Sequence, residues 1–173
     1  MNRNQLRIRE EVAADKAAVY RINQEAFGRR EEADLVNSVR ATAKSFLSLV
    51  AVMDDTPVGH ILFTPVDVST GSDSNSAMGL GPVAVLPDHQ RMGIGSRLID
   101  AGLERCRQNG CAVVFVMGHQ DYYPRFGFQP AADWDLYYKT HDFDPYFFLT
   151  ELLPGAAAML SGEVRYLPAF DEA

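Results

Sequence analysis

Val83-Ala-Val-Leu-Pro-Asp-His-Gln90-Arg-Met-Gly93-Ile-Gly95-Ser-Arg-Leu-Ile99 reads as a short apolar strand, a turn and the glycine-rich start of an amphipathic helix. A helix start leaves several backbone N–H groups unpaired and carries the positive end of the helix dipole. Two glycines without side chains let an anion come close to those groups. The same glycines also suit a plain tight turn, so the run allows a phosphate seat without requiring one. Its spacing excludes two phosphate motifs. A P-loop needs a Lys after its last glycine, and none follows Gly93 or Gly95; a dinucleotide fingerprint needs a third glycine where Leu98 stands.

Working outward, the periodicity predicts a helix over 94–109, with Ile94, Leu98, Ile99, Leu103 and Cys106 on one face and Gly110 as its stop. Residues 112–117 are apolar throughout, as suits a strand covered on both faces. Residues 78–86 form another strand, with Pro82 inside it. Proline cannot donate to a ladder, so an interruption or a diverging edge is expected there. Toward the N-terminus, 6–9 alternates like a half-buried strand, and 13–27 suits a helix with Ala17, Val19, Tyr20, Ile22 and Phe27 inward and Gly28 as its stop. A second helix over 31–42 places Ala33, Leu35, Val36 and Val39 inward. Strands over 45–53 and 58–68 are joined by the hairpin signal Asp54-Asp55-Thr56-Pro57, and 69–76 is a polar, mobile connector. Two further strands are expected in the aromatic C-terminal third, at 145–152 and 162–168. No repeat, low-complexity tract or linker interrupts the chain, so one mixed α/β domain is expected over 1–173.

A pattern Gln/Arg-x-x-Gly-x-Gly/Ala lies inside the opening stretch as Gln90-Arg-Met-Gly93-Ile-Gly95, after Val85-Leu-Pro87. Downstream stands Gly118-His-Gln-Asp-Tyr122-Tyr123-Pro-Arg-Phe-Gly127-Phe128, containing Tyr-x-x-x-Gly-Phe. Together, in this order, the two motifs resemble the GNAT N-acetyltransferases. The downstream motif is similar to the YhbS-type branch of predicted acetyltransferases in that superfamily. The resemblance implies a single GNAT-type α/β domain. Its central mixed, mostly antiparallel twisted sheet would have splayed fourth and fifth strands and flanking helices, the first two helices forming the substrate-side flap.

The resemblance also implies direct transfer of an acetyl group from acetyl-CoA, as cosubstrate, to an amine of a small molecule or protein. Val83, Ala84 and Val85 would bond the pantetheine arm through their backbone. The N–H groups of Arg91, Met92, Gly93, Ile94, Gly95 and Ser96 would seat the pyrophosphate, and Arg91 or Arg97 would add a charge-assisted bond. Tyr123 occupies the family's general-acid position, from which a phenol can protonate the departing thiolate. The base is open. The strand at 112–117 has none of the carboxylates that many members place there, which leaves His119, Glu25, Asp121 or a water as relay. A noncatalytic acyl-CoA sensor, or a transferase for a longer acyl group, is the alternative reading.

Composition sets the outer bounds. The chain has 173 residues, 47% hydrophobic and 23% charged, ordinary for a globular domain with its own core. A net charge of −7 argues against a general nucleic-acid binder. No apolar run is long enough to span a membrane and Met1-Asn-Arg-Asn-Gln lacks a signal-peptide stretch. Cys106 and Cys111 read as small core residues in a reducing compartment, so a cytoplasmic location is expected. No metal is implied, and the apolar C-terminal third would suit a homodimer contact.

Overall fold

In the computed structural model, residues 5–70 and 77–171 are described. In chain order the elements are β1 (Leu6–Glu10), α1 (Lys16–Phe27), α2 (Glu31–Thr42), β2 (Leu47–Met53), β3 (Thr56–Pro65), β4 (Asp67–Thr70) and β5 (Ala77–Val85). Then come α3 (Ile94–Gln108), β6 (Val113–Met117), β7 (Gln129–Pro130), β8 (Leu136–Tyr138), β9 (Phe147–Glu151) and β10 (Ser161–Arg165), with short 3-10 turns between them. Two compact units form: one from Met1–Phe63, Pro82–Gly102 and Pro168–Ala173, the other from Thr64–Gly81 and Leu103–Leu167. β3, β5 and α3 each begin in one unit and end in the other.

In the first unit the strand order is β1-β2-β3-β5. β1 and β3 both pair antiparallel with β2. The turn between β2 and β3 is tighter than the four residues expected. Asp54 and Asp55 alone make it, with φ of 49° and 65°, the two left-handed residues that match the twist of a two-residue hairpin. Thr56 and Pro57 already belong to β3. On one face, Val19 of α1 and Leu35, Val36 and Val39 of α2 pack against Val50, Val52 and Leu62. Burying each such side chain contributes roughly 1.5–3 kcal/mol.

Two inward positions expected for α1 are corrected. Ala17 is exposed and Phe27 is 40% exposed. The helix begins only at Lys16, after a 3-10 turn over Ala13–Asp15, and its buried stripe is Val19, Ile22 and Asn23. Phe27 sits in the last position before the left-handed Gly28, beyond the edge of the covered face.

A chain of polar groups runs through this unit. Asn23 Nδ2 donates to the Val19 carbonyl at 3.0 Å and to His60 Nδ1 at 3.0 Å. That leaves the His60 proton on Nε2, which donates to Ser48 Oγ at 2.9 Å. The Ser48 hydroxyl donates to Glu11, whose other oxygen accepts from Arg40. The links from Asn23 through His60 and Ser48 point their protons toward the Glu11 carboxylate, which compensates the burial of these donors, while Asn23 Oδ1 is buried without a partner. His60 is fully buried and its pKa falls to about 3, through burial first and the nearby Arg40 charge second.

In the second unit the order is β5-β6-β9-β7, with a separate three-stranded sheet β4-β10-β8. β9 pairs antiparallel with β6 and β7, β4 antiparallel with β10, and β5–β6 and β10–β8 run parallel. The architecture is therefore mixed α/β with mostly antiparallel strands. The expected strand over 58–68 is in fact two. Pro65 ends β3, and β4 leaves to pair with β10 at Val68↔Val164 and Asp67↔Arg165, because proline offers no donor to continue the first ladder. Ser69 and Thr70, expected in the connector, belong to β4; residues 71–76 lie outside the described residues. Phe115, Leu136, Phe147 and Leu149 centre the core of this unit, with Phe115 and Phe147 stacked at 5.5 Å.

Candidate functional site

The parallel β5–β6 pairing needs a crossover, which α3 supplies. Its ladder joins Ala77↔Val113 through Leu80↔Val116 and stops there, although β5 continues to Val85 and β6 to Met117. The local cause is Gly81-Pro82. Gly81 has a φ of 146°, open in practice only to glycine, and Pro82 has no N–H. The ladder between the fourth and fifth of the expected strands thus ends at Leu80, next to the disruption expected from Pro82.

Val83, Ala84 and Val85 form the end of β5 beyond that last pair; Ala84 is buried, Val83 and Val85 half-buried. A 3-10 turn over Pro87–His89 follows, and Gln90 Nε2 donates back to the Val85 carbonyl at 3.0 Å, folding the loop onto its strand. Arg91 and Gly93 both take left-handed φ values, 63° and 82°. Ile94 then anchors the helix: it is 2% exposed and, with Leu98, lies against Gly59 of β3.

The first bond of the α3 ladder is Arg97 N–H to the Gly93 carbonyl, at 3.1 Å. The N–H groups of Arg91, Met92, Gly93, Ile94, Gly95 and Ser96 precede it, and among the described residues none has an acceptor. No acidic residue occupies the first turn, so nothing negative competes for the dipole. Arg91 and Met92 stand exposed beside this seat. The Arg97 guanidinium instead reaches the Leu6 carbonyl at 3.4 Å, which favours Arg91 of the two arginines. All of this lies in the first unit.

In the second unit β6 is followed by Gly118, whose N–H donates to the Tyr146 carbonyl at 2.8 Å. The chain then turns, with the N–H groups of Tyr122 and Tyr123 directed at the His119 carbonyl at 3.2 and 3.4 Å. A 3-10 turn over Tyr123–Phe126 closes on the left-handed Gly127, and Phe128 enters the core. The Tyr123 ring lies on Gly118 so closely that a Cβ there would stand 2.2 Å from it. Tyr122 and Phe128 hold it edge-on at 5.1 and 5.7 Å. Burial, with a smaller contribution from Tyr122, pushes the Tyr123 phenol up to about 12. It therefore keeps its proton throughout the neutral range.

His119 and Asp121 share this loop and are exposed. Glu25 lies in the first unit, exposed on α1, and accepts from Arg21 Nε at 2.8 Å. The structure thus gathers Tyr123, His119 and Asp121 in one loop and the backbone seat in another. Tyr166 is a residue that sequence reasoning missed. Its ring covers Gly79 of β5, and no local motif marks it.

Comparison with known proteins identifies the family to which the chain belongs. Residues 7–131 match the model of the acetyltransferase (GNAT) domain. YjhQ of Escherichia coli K12, an uncharacterized N-acetyltransferase, is 45% identical over 121 residues, 69% of this chain and 67% of YjhQ. YhbS of the same organism, also an uncharacterized N-acetyltransferase, is 32% identical over 95% of this chain and 98% of its own. The crystal structure of YhbS in complex with CoA superposes with a TM-score of 0.87 over 98% of this chain and 92% of that one, at 28% identity. A GNAT family acetyltransferase from Brucella melitensis in complex with acetyl-CoA gives a TM-score of 0.79 and 34% identity, over 96% of this chain and 99% of the other.

Proposed function

The chain belongs to the GNAT family of acetyl-CoA-dependent acetyltransferases, and from that premise we propose that it moves an acetyl group from acetyl-CoA directly onto an amine of a small molecule or protein, with Tyr123 as general acid. The observation that carries this reading is the run of N–H groups from Arg91 to Ser96, left unclaimed by a helix ladder that starts at Arg97. A pyrophosphate fits such a seat because its oxygens accept from several main-chain donors at once, at the positive end of the helix. The exposed Arg91 adds a positive charge to the same loop. Val83, Ala84 and Val85 lie beyond the last β5–β6 ladder pair, which leaves backbone groups there to bond an amide-bearing arm.

In the transfer, the amine nitrogen bonds to the thioester carbonyl carbon and the carbon–sulfur bond breaks. The sulfur gains a proton while the nitrogen loses one. Tyr123 is protonated at neutral pH and supplies the hydrogen bond to the departing sulfur. With the phenol near 12 and an ordinary thiol near about 8.5, full transfer to a settled thiolate would be uphill. Tyr123 therefore acts while the charge develops, and its proton is replaced by the one the amine releases. His119 and Asp121, exposed on the same loop as Tyr123, are the protein groups we favour to relay that proton, with water as the other route; Glu25, already bound by Arg21, is the weaker candidate.

Release of CoA thiol from acetyl-CoA across a panel of amines and peptide N-termini tests the proposal. Turnover with at least one acceptor class is the expected result. Tight acetyl-CoA binding without turnover on any amine would favour the sensor reading instead, which the carboxylate-free strand Val113–Met117 keeps specific.

A further inference from the structure

Where β1 ends and β2 begins, the first unit holds a cavity of about 290 Å³, its lining including Glu10, Glu11, Val12, Lys16, Arg40 and Phe46. It lies where β1 runs out at Glu10, α1 starts at Lys16, and α2 stops at Thr42 before β2 begins at Leu47. Its walls are tied down by the fold. The Glu11 N–H donates to the Ser48 carbonyl at 2.9 Å. Asp15 accepts from the Val12 N–H at 2.8 Å and from both Arg9 Nη atoms at 2.7 and 3.0 Å. Arg97, on the helix behind the Arg91–Ser96 seat, reaches the Leu6 carbonyl at the start of β1. The cavity opens at the other end of that strand, about 13 Å away at the rise of an extended chain, so it is no part of the seat.

The lining carries both signs of charge. Glu11 and Arg40 form an ion pair with side chains 7% and 13% exposed, yet neither is saturated. Arg40 spends one Nη on Glu11 and the other on Asn37, and its Nε–H makes no bond among the described residues. Each Glu11 oxygen accepts once, from Arg40 and from Ser48, and a carboxylate has lone pairs for more. The exposed Glu10 and Lys16 add a second charge of each sign. Beside these charges Val12 and Phe46 stand 54% and 38% exposed, an apolar surface that the fold leaves uncovered.

We propose that this cavity binds a free α-amino acid with an apolar side chain. A lone carboxylate would meet Glu10 and Glu11, and a lone amine would meet Lys16 and Arg40. A neutral apolar molecule would take water from all four charges and replace none of it. A zwitterion matches both signs. Its carboxylate accepts from Arg40 Nε–H and Lys16, its ammonium donates to Glu11 and Glu10, and its side chain covers Phe46 and Val12. The volume lies just under that of drug-sized pockets, which suits a single small molecule. This site stands on its own residues and does not depend on the acetyl-CoA reading.

Calorimetry on the full chain with L-leucine and L-phenylalanine tests it, against 3-methylbutylamine and 4-methylpentanoate, which are leucine without one charge or the other. Saturable binding of at least one amino acid at or below about 1 mM is expected, with both singly charged analogues weaker by about tenfold or more. Lys16→Glu reverses one exposed charge. It should weaken the amino acid by about tenfold and leave Kd for acetyl-CoA, read in a separate titration, within about twofold. Phe46→Ala removes apolar wall and should weaken the amino acid by a similar factor. Absence of saturable binding up to about 10 mM overturns the proposal. So do analogues that bind as tightly as leucine, and so does a Lys16→Glu variant with wild-type affinity, which would put the amino acid elsewhere on the chain.

Discussion

The two loops proposed to carry the chemistry are built in opposite ways. The seat at Arg91–Ser96 is main chain, exposed and polar, and its shape comes from two left-handed residues and a helix start. The loop around Tyr123 is side chain, half-buried and aromatic, and its shape comes from rings pressed on glycines and on each other. The first kind of site offers hydrogen bonds that exist before any ligand arrives. The second offers one hydroxyl whose position and proton depend on its packing. Binding and transfer should therefore respond to different substitutions.

The largest effect separates them. Tyr123→Phe should lower turnover by about 10²–10⁴, the usual contribution of a positioned acid, while acetyl-CoA affinity stays within about twofold. Steady-state kinetics with a calorimetric Kd would show it, and unchanged turnover would remove Tyr123 from the chemistry. Gly93→Ala should do the reverse. A Cβ meets nothing within 4 Å there, but the φ of 82° strains any other residue. The cost is roughly 1–2 kcal/mol, so acetyl-CoA binding should weaken by about tenfold with kcat at saturation little changed. A kcat collapse in that variant would mean that the seat also governs the reacting end.

The subtlest contrast is in pH. His60 in the first unit has its pKa lowered to about 3 and Tyr123 in the second has its own raised to about 12, both mainly by burial. Below the unfolded His value of about 6.5 the unfolded chain binds a proton that the fold refuses, so stability falls as pH drops toward 3. Above the unfolded Tyr value of about 10 the unfolded chain loses a proton that the fold keeps, so stability falls as pH rises toward 12. Each slope is about 1.4 kcal/mol per pH unit. Urea titrations across pH should find the acid slope reduced in His60→Gln and the alkaline slope reduced in Tyr123→Phe. Equal slopes in variant and wild type would assign the pH response elsewhere.

What could be read from the sequence follows the same division. The span of α2 and its inward Ala33, Leu35, Val36 and Val39 were legible because one amphipathic period fixes both. The unclaimed N–H groups before α3 were legible because they come from consecutive residues. The end of the β5–β6 ladder was legible from Pro82. The departure of β4 was not, since Val66 and Val68 continue an apolar run and only pairing with β10 separates them. His60 reads as one more residue of an apolar strand, and its partners Asn23, Ser48 and Glu11 come from three other segments. Tyr166 on Gly79 is equally long-range. Chemistry written in the backbone shows in local spacing; chemistry made by packing does not.

The exposure of Met92 has a practical consequence. It is 55% exposed beside the seat, while Cys106 and Cys111 are buried and not joined in a disulfide. Buried thiols in apolar surroundings react poorly with alkylating dyes. A single cysteine introduced at Met92 would therefore carry a fluorophore selectively, at a position where the proposed phosphate contact is made by the backbone and not by the side chain. The loop becomes a place from which arrival of the cosubstrate can be watched in real time, before any acceptor is known.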